Sequence, residues 1–230
     1  MNNTKLNIVL EDNHLIVLNK YPSQIVQGDK TGDTPLTDLV KSYIKKKYNK
    51  PGDVYLGAPH RLDRPVSGIV MFCRTSKAAT RMSAAFADRS ICKTYWAIVC
   101  EKPDSNTGVL VNHLIKNQEQ NKSRVVGNNT SNAKRAELQY KYLSSFDRYH
   151  LLEITPLTGR HHQIRVQLAN IGCIIKGDLK YGASQSNKNA SIHLHARSLQ
   201  FNHPTTKELT TVVADPPDDP IWNHFLKQNL

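Results

Sequence analysis

The chain has 230 residues, enough for one generous core or two small ones, and a formal net charge of +12 from 31 Lys and Arg against 19 Asp and Glu. That excess points to a polyanionic partner such as nucleic acid, with a merely solubilising basic surface as the plain alternative. Four cysteines without C-x-x-C or zinc-ribbon spacing argue against a disulfide scaffold or zinc ribbon, and no apolar run approaches transmembrane length.

Along the chain, residues 6–10 and 15–18 are predicted as short strands around a polar turn, EDNH. A helix is predicted from Thr34, which can cap it, with Pro35 at its first position. Leu36, Leu39, Val40, Tyr43 and Ile44 recur at helical spacing, and Lys45, Lys46 and Lys47 end the run where cations suit the helix dipole. Residues 69–73 read as a buried strand. SKAATRMSAAFADRS reads as a helix capped by Thr75 or Ser76, with Met82, Ala85 and Phe86 inward. KTYWAIVC is apolar on both alternating faces and reads as a central strand. Residues 112–134, rich in Asn, Lys and Ser, are expected to be an exposed connection with at most one short strand.

Further on, Ala136, Leu138, Tyr140 and Tyr142 alternate with polar residues, and 150–155 form another predicted strand. Ile164, Leu168 and Ile171 mark a short helix stopped by Gly172. Strands are expected at 192–201 and 209–214, and DPPDDP at 215–220 continues neither type of element. The cysteines lie in apolar runs and are expected to be small reduced core residues. The N-terminus lacks the pattern of a signal peptide, so a soluble, cytoplasmic protein is expected. The pattern predicts one mixed α/β domain (α+β) over residues 1–230, built on a large sheet.

Three segments can carry chemistry. In PHRLDRPVSGIVMF, Asp63 lies between Arg61 and Arg64, whose guanidinium groups favour an ionised carboxylate. Such a group can act as nucleophile or base, or can be an ion pair that fixes a loop. In TPLTGRHHQIRVQLANIG, Gly159 permits a close approach before the helix, and His161 and Arg165 lie four apart. Arg165 can sit at the rim of a buried site or on an amphipathic surface. Tyr95, early in KTYWAIVC, can stack on a base or be ordinary core. His193 and His195 alternate on one strand and raise a metal-dependent hydrolase as a rival. However, no H-E-x-x-H pattern accompanies them, and no phosphate-binding glycine loop is present, so neither a metal nor a nucleotide cofactor is expected.

Taken together, the segments resemble the RluA family of RNA pseudouridine synthases. HRLDRPVSG is similar to its catalytic motif, KTYWAIV to its K-x-Y-x-A-x-V strand, and TGRHHQIRVQLANIG to its arginine-bearing segment. GDLKYG, LHARSLQFNHP and the opening EDNHLIVLNK match further landmarks in the same order. Val66, His161 and Gln167 depart from the usual residues, as does NKYPSQIVQ. The resemblance implies the pseudouridine synthase catalytic fold, a large, mostly antiparallel sheet flanked by helices and loops. It also implies a chain that starts at the catalytic domain, without the small N-terminal RNA-binding module of many relatives.

By that resemblance the reaction is isomerisation of uridine in ribosomal or transfer RNA, without cofactor or metal, by a monomer. Asp63 would be the catalytic carboxylate, Tyr95 the residue that stacks on the flipped base, and Arg165 the cation that pairs with Asp63. Arg61 would belong to the loop presenting the acid. Charge alone nominates Lys45, Lys46, Lys116, Lys122, Arg124 and Lys134 as phosphate contacts. The alternative is a non-catalytic RNA-binding or ribosome-assembly protein of the same fold, which would not need Asp63.

Overall fold

A computed structural model describes residues 6–29 and 31–228; the signal-peptide expectation rests partly on residues 1–5, outside that range. The fold is α+β with mostly antiparallel strands, as expected. The chain divides into two compact units, one made of the residues up to Cys92 plus Ala196–Asp215, the other of Lys93–His195 and the residues from Pro216. Among the described residues, no helix is long and apolar enough to cross a membrane.

In the first unit, β1 (Ile8–Glu11) and β2 (Leu15–Lys20) form the predicted hairpin. Asp12 closes its turn, its carboxylate accepting from the N–H groups of His14 and Leu15 at 2.6 and 2.7 Å. β2 pairs with β3 (Ser67–Cys73), so that Lys20 lies opposite Gly68. All seven β3 residues are buried, which explains the unbroken apolar run. Helix α1 spans Leu36–Lys47, one residue later than predicted. Pro35 is extended, so it stands before the helix. The first N–H groups, of Leu36 and Thr37, go to the carbonyls of Ile25 and Val26 instead of a Thr34 cap.

Helix α2 (Ser76–Ala87) is capped by Thr75, whose hydroxyl accepts from Ala78 N–H at 3.2 Å. Its Met82 packs with Val17 and Met71 of the hairpin sheet and with Phe201 and Val212 from the end of the unit. Those last two come from β9 (Leu194–Asn202) and β10 (Leu209–Val213), an antiparallel pair.

In the second unit, β4 (Cys92–Val99), β5 (Thr107–Asn117), β6 (Lys122–Val126), β7 (Lys134–Phe146) and β8 (Tyr149–Pro156) run in the order β4-β8-β7-β5-β6. The hairpin β5–β6 corrects the expectation of an exposed connection at 112–134. Within it, Leu114 and Ser123 are the buried residues, so no apolar alternation announces it; ladder hydrogen bonds to β7 hold it instead. Helix α3 (Gln163–Asn170) ends before Gly172, which is left-handed at φ +79°. Helix α4 (Pro220–Leu226) was not predicted. Yet Asp219 caps it and Pro220 takes the first position, a start signal legible in DPPDDP. Of the cysteines, Cys73 and Cys173 are buried as expected, whereas Cys92, the first residue of β4, is exposed.

Candidate functional site

Asp63 belongs to the first unit, in the loop that leads from Gly57 into β3. That loop is fastened at several points. Gly57 and Cys73 exchange two backbone hydrogen bonds of 2.8 Å. The imidazole of His60 accepts from Met71 N–H at 2.9 Å and stacks on Phe86 of α2, with ring centroids 4.5 Å apart. Leu62 is buried, and Val66 N–H closes a turn on the carbonyl of Asp63 at 3.1 Å. Asp63 itself is half-buried and Arg61 is exposed. Gly68 then enters β3 at φ +110°, and a Cβ there would stand 2.3–2.8 Å from the backbone of Ala196. Glycine is therefore required at the point where the acid-bearing loop becomes a strand.

Arg64 turns its guanidinium to the carboxylate of Asp33. Beneath the loop lies Lys20, 1% exposed, whose ammonium donates to the carbonyls of Tyr21, Gln24 and Arg64 at 3.0, 2.8 and 3.1 Å. Burial pushes Lys20 down to about 7; the charge of Asp63 acts against that shift and the charge of Arg64 adds to it. The sequence reading missed this lysine. Its one signal is that a lysine ends a mostly apolar strand, LIVLNK.

In the second unit, Arg165 is 4% exposed, because Gln163 through Leu168 of α3 are all buried; the surface-arginine reading is corrected. Its Nε and Nη2 donate to the two carboxylate oxygens of Asp178 at 2.7 and 2.8 Å, a bidentate pair. The guanidinium also lies 5.1 Å from the ring centre of Tyr181. Tyr181 in turn accepts from Ser123 N–H at 2.9 Å and sits 2.9 Å from His162 Nδ1. Burial, then the positive charge of Arg165, push His162 down to about 2, so its imidazole is neutral.

The close approach expected at Gly159 is absent, since a Cβ there would meet nothing within 4 Å. Instead His162 makes the left-handed turn, at φ 53°. Gln163 ties the turn down, its amide oxygen accepting from Arg160 N–H and the Thr158 hydroxyl at 2.9 and 2.7 Å. His161 precedes the helix, so it does not share a helix face with Arg165; its Nδ1 is 2.9 Å from the Ser123 hydroxyl. Tyr95 lies on β4 opposite Ile154 and is half-buried.

Lys45 and Lys46 are exposed on the last turn of α1. The register of the β5–β6 hairpin places Lys122 and Arg124 on one face, opposite Asn117 and Ile115. Lys116 and Lys134 fall on the other face, the latter opposite Leu114. His193 donates from Nε2 to Asp219 at 3.1 Å, faces Asn187 with Nδ1 at 3.0 Å, and stacks on Trp222 at 5.4 Å. Burial lowers its pKa, so this is a hydrogen bond from a neutral ring. His195 is fully buried with its ring edge against Trp222. Among the described residues, no three His, Cys, Asp or Glu side chains are grouped as a metal site needs.

Residues 14–170 match the family described as RNA pseudouridylate synthase. The chain is 30% identical over 207 residues to ribosomal large subunit pseudouridine synthase C of Vibrio vulnificus (strain CMCP6), covering 87% of this chain and 62% of that protein. It is 32% identical over 225 residues to ribosomal large subunit pseudouridine synthase D of Zymomonas mobilis subsp. mobilis (strain ATCC 31821 / ZM4 / CP4), covering 93% and 70%. The chain thus spans about 62% of the length of the synthase C relative from Vibrio vulnificus. Among solved structures, human RNA pseudouridylate synthase domain containing 4 superposes with a TM-score of 0.79 at 27% identity, over 96% of this chain and 92% of that one. Human RNA pseudouridylate synthase domain containing 1 shares the fold, with a TM-score of 0.74 at 24% identity over 96% and 88%.

Proposed function

The chain belongs to the RNA pseudouridylate synthase family, and on that premise we propose that it isomerises uridine to pseudouridine in RNA, with Asp63 as the catalytic carboxylate. The observation that carries this reading is the extent of the family match, residues 14–170, which encloses Asp63, Tyr95 and Arg165 together. The relatives named for the large ribosomal subunit favour ribosomal RNA as the substrate.

The reaction breaks the bond from ribose carbon 1′ to base nitrogen 1 and joins carbon 5 to carbon 1′. Carbon 5 loses its proton and nitrogen 1 gains one, so composition is unchanged and no redox partner enters. The target nucleotide leaves its stack at a cost of a few kcal/mol, and stacking on Tyr95 returns about 1–3 kcal/mol of it. Asp63 meets the ribose as the glycosidic bond opens. Arg165, its plane fixed by Asp178, supplies oriented positive charge. Arg61 contributes to the loop that presents the acid. The expectations of one catalytic domain over residues 1–230 and of a monomer are part of this proposal.

The test is release of tritium from carbon 5 of uridine in ribosomal RNA, with purified wild-type protein and Asp63→Asn. Conversion by wild type, and its loss in Asp63→Asn with RNA binding retained, support the enzyme. Unchanged pseudouridine maps in cells lacking the protein would favour a binding or assembly role instead.

A further inference from the structure

Lys20 is a buried charged side chain of the first unit that the proposed chemistry leaves unused. It is buried to 1% at the end of β2, opposite Gly68, under the loop that bears Asp63. An ammonium has three N–H donors, and here three carbonyls receive them. Two of these, of Tyr21 and Gln24, belong to the turn that follows β2. The third belongs to Arg64, directly after Asp63 in the chain. That same carbonyl also accepts Ser23 N–H at 2.9 Å, so the turn and the acid loop are laced together through one atom.

From this geometry we propose that Lys20 is a positioning residue for Asp63: its protonated ammonium clamps the acid loop to the turn after β2, and loss of that proton releases the clamp. The inference rests on the role proposed above for Asp63. A neutral amine has two donors and a lone pair. One of the three carbonyls would then face electron density where it had a hydrogen bond. The charged neighbours bearing on Lys20 are Asp63, which favours the ammonium, and Arg64, which opposes it. Arg64 is itself turned toward Asp33. With burial the dominant influence, Lys20 changes charge about pH 7, inside the working range of an enzyme.

The sign of the effect separates positioning from plain stability. Unfolded lysine keeps its proton up to about pH 10.4, whereas the folded residue loses it earlier. Between the two values the unfolded chain binds more protons, so this group makes the fold more stable as pH rises. The clamp, however, weakens over the same interval. Turnover should therefore fall on the alkaline side of neutrality while the melting temperature does not.

Three measurements test this. First, tritium release per enzyme molecule on saturating RNA should drop about tenfold from pH 6.5 to 8.5 in wild type. In Lys20→Arg, which stays charged, the alkaline limb should move up by at least one pH unit. Second, Lys20→Met should lower kcat at every pH with little change in KM. Third, NMR of the lysine side chain in the intact wild-type protein should show Lys20 titrating near neutrality, and Asp63→Asn should shift it lower. A Lys20→Arg limb identical to that of wild type, or a folded Lys20→Met with full kcat, overturns the proposal. If both variants fail to fold, a Lys20 resonance that does not titrate between pH 6 and 9 overturns it, and titration coupled to Asp63 supports it. If wild type converts no uridine at all, the functional reading fails, while the NMR coupling still reports on the clamp.

Discussion

Arg165 and Asp178 form a buried, bidentate pair in the second unit: two guanidinium nitrogens meet two carboxylate oxygens at 2.7 and 2.8 Å, and the carboxylate is 1% exposed. Removing one partner strands a charge in a dry place, which typically costs about 3–5 kcal/mol. Asp178→Ala should therefore lower the melting temperature by many degrees. Arg165→Lys should lose more conversion than binding, because an ammonium cannot reproduce the planar fork. A melting curve for Asp178→Ala within a degree of wild type would remove Asp178 from this role.

A matched pair of glycine substitutions tests the backbone geometry of the two motif segments. Gly68→Ala places a Cβ 2.3–2.8 Å from rigid backbone at φ +110°, so a loss of about 1–3 kcal/mol or more is expected. Gly159→Ala meets nothing within 4 Å and should change stability by less than about 0.5 kcal/mol. Thermal or urea unfolding of both proteins checks this. Equal losses would contradict it.

Acid should destabilise the second unit through its neutral histidines. Burial and Arg165 hold His162 down to about 2, and burial lowers His193 as well. Below about pH 6.5 the unfolded imidazoles take protons that the folded ones refuse. The unfolded state then binds more protons, and stability falls as pH drops. Asp219, held down to about 2 chiefly by its hydrogen bond from His193, adds a further loss only between its ordinary carboxylate range and that value. Melting temperatures from pH 7.5 to 4.5 should decline, and less steeply in His162→Gln. An unchanged slope in that variant would show that His162 titrates alike in both states.

The basic residues of the β5–β6 hairpin, with Lys134 from the start of β7 beside it, should behave as two groups. If both faces grip RNA, the pairs Lys122→Ala with Arg124→Ala and Lys116→Ala with Lys134→Ala each lower the salt dependence of binding, by about 0.7 per lost phosphate contact on a single strand. If one face faces solvent, its pair leaves the slope alone. Binding isotherms at four salt concentrations decide. No change for either pair removes this hairpin from the proposed interface.

Tyr95→Leu keeps an apolar side chain on β4 but removes the aromatic face. Loss of about 1–3 kcal/mol of base stacking should appear in kcat/KM for RNA, with the melting temperature nearly unchanged. Full activity in that variant would assign Tyr95 to packing.

Much of the fold was legible because local signals and burial agreed. The Thr75 cap and the apolar spacing of α2 mark a helix with one buried face, and the unbroken run of β3 marks a strand buried on both. The hairpin at 107–126 escaped because its stability lies in backbone pairing between strands with little apolar alternation, which composition does not encode. Asp63, Tyr95 and Arg165 were nominated by the motifs in which they stand. Their supports were not. Asp178 meets Arg165 from thirteen residues downstream across a loop. Lys20 is 44 residues from the carbonyl it holds at Arg64. Such partners are set by tertiary closure, and a lysine at the end of an apolar strand looks like any surface lysine until the strand is seen to be covered.

The interleaved make-up of the two units has a consequence for how this chain emerges from a ribosome. Leu199, Phe201, Val212 and Ala214, which complete the core around β2, β3 and α2, lie beyond the whole stretch 93–195 that builds the other unit. At typical synthesis rates, that stretch takes on the order of 5–20 s to appear. Throughout that interval the nascent β3 waits with β2 and α2 in place but without the residues that complete its cover, so the first third of the polypeptide is where a holdase chaperone would find its longest opportunity.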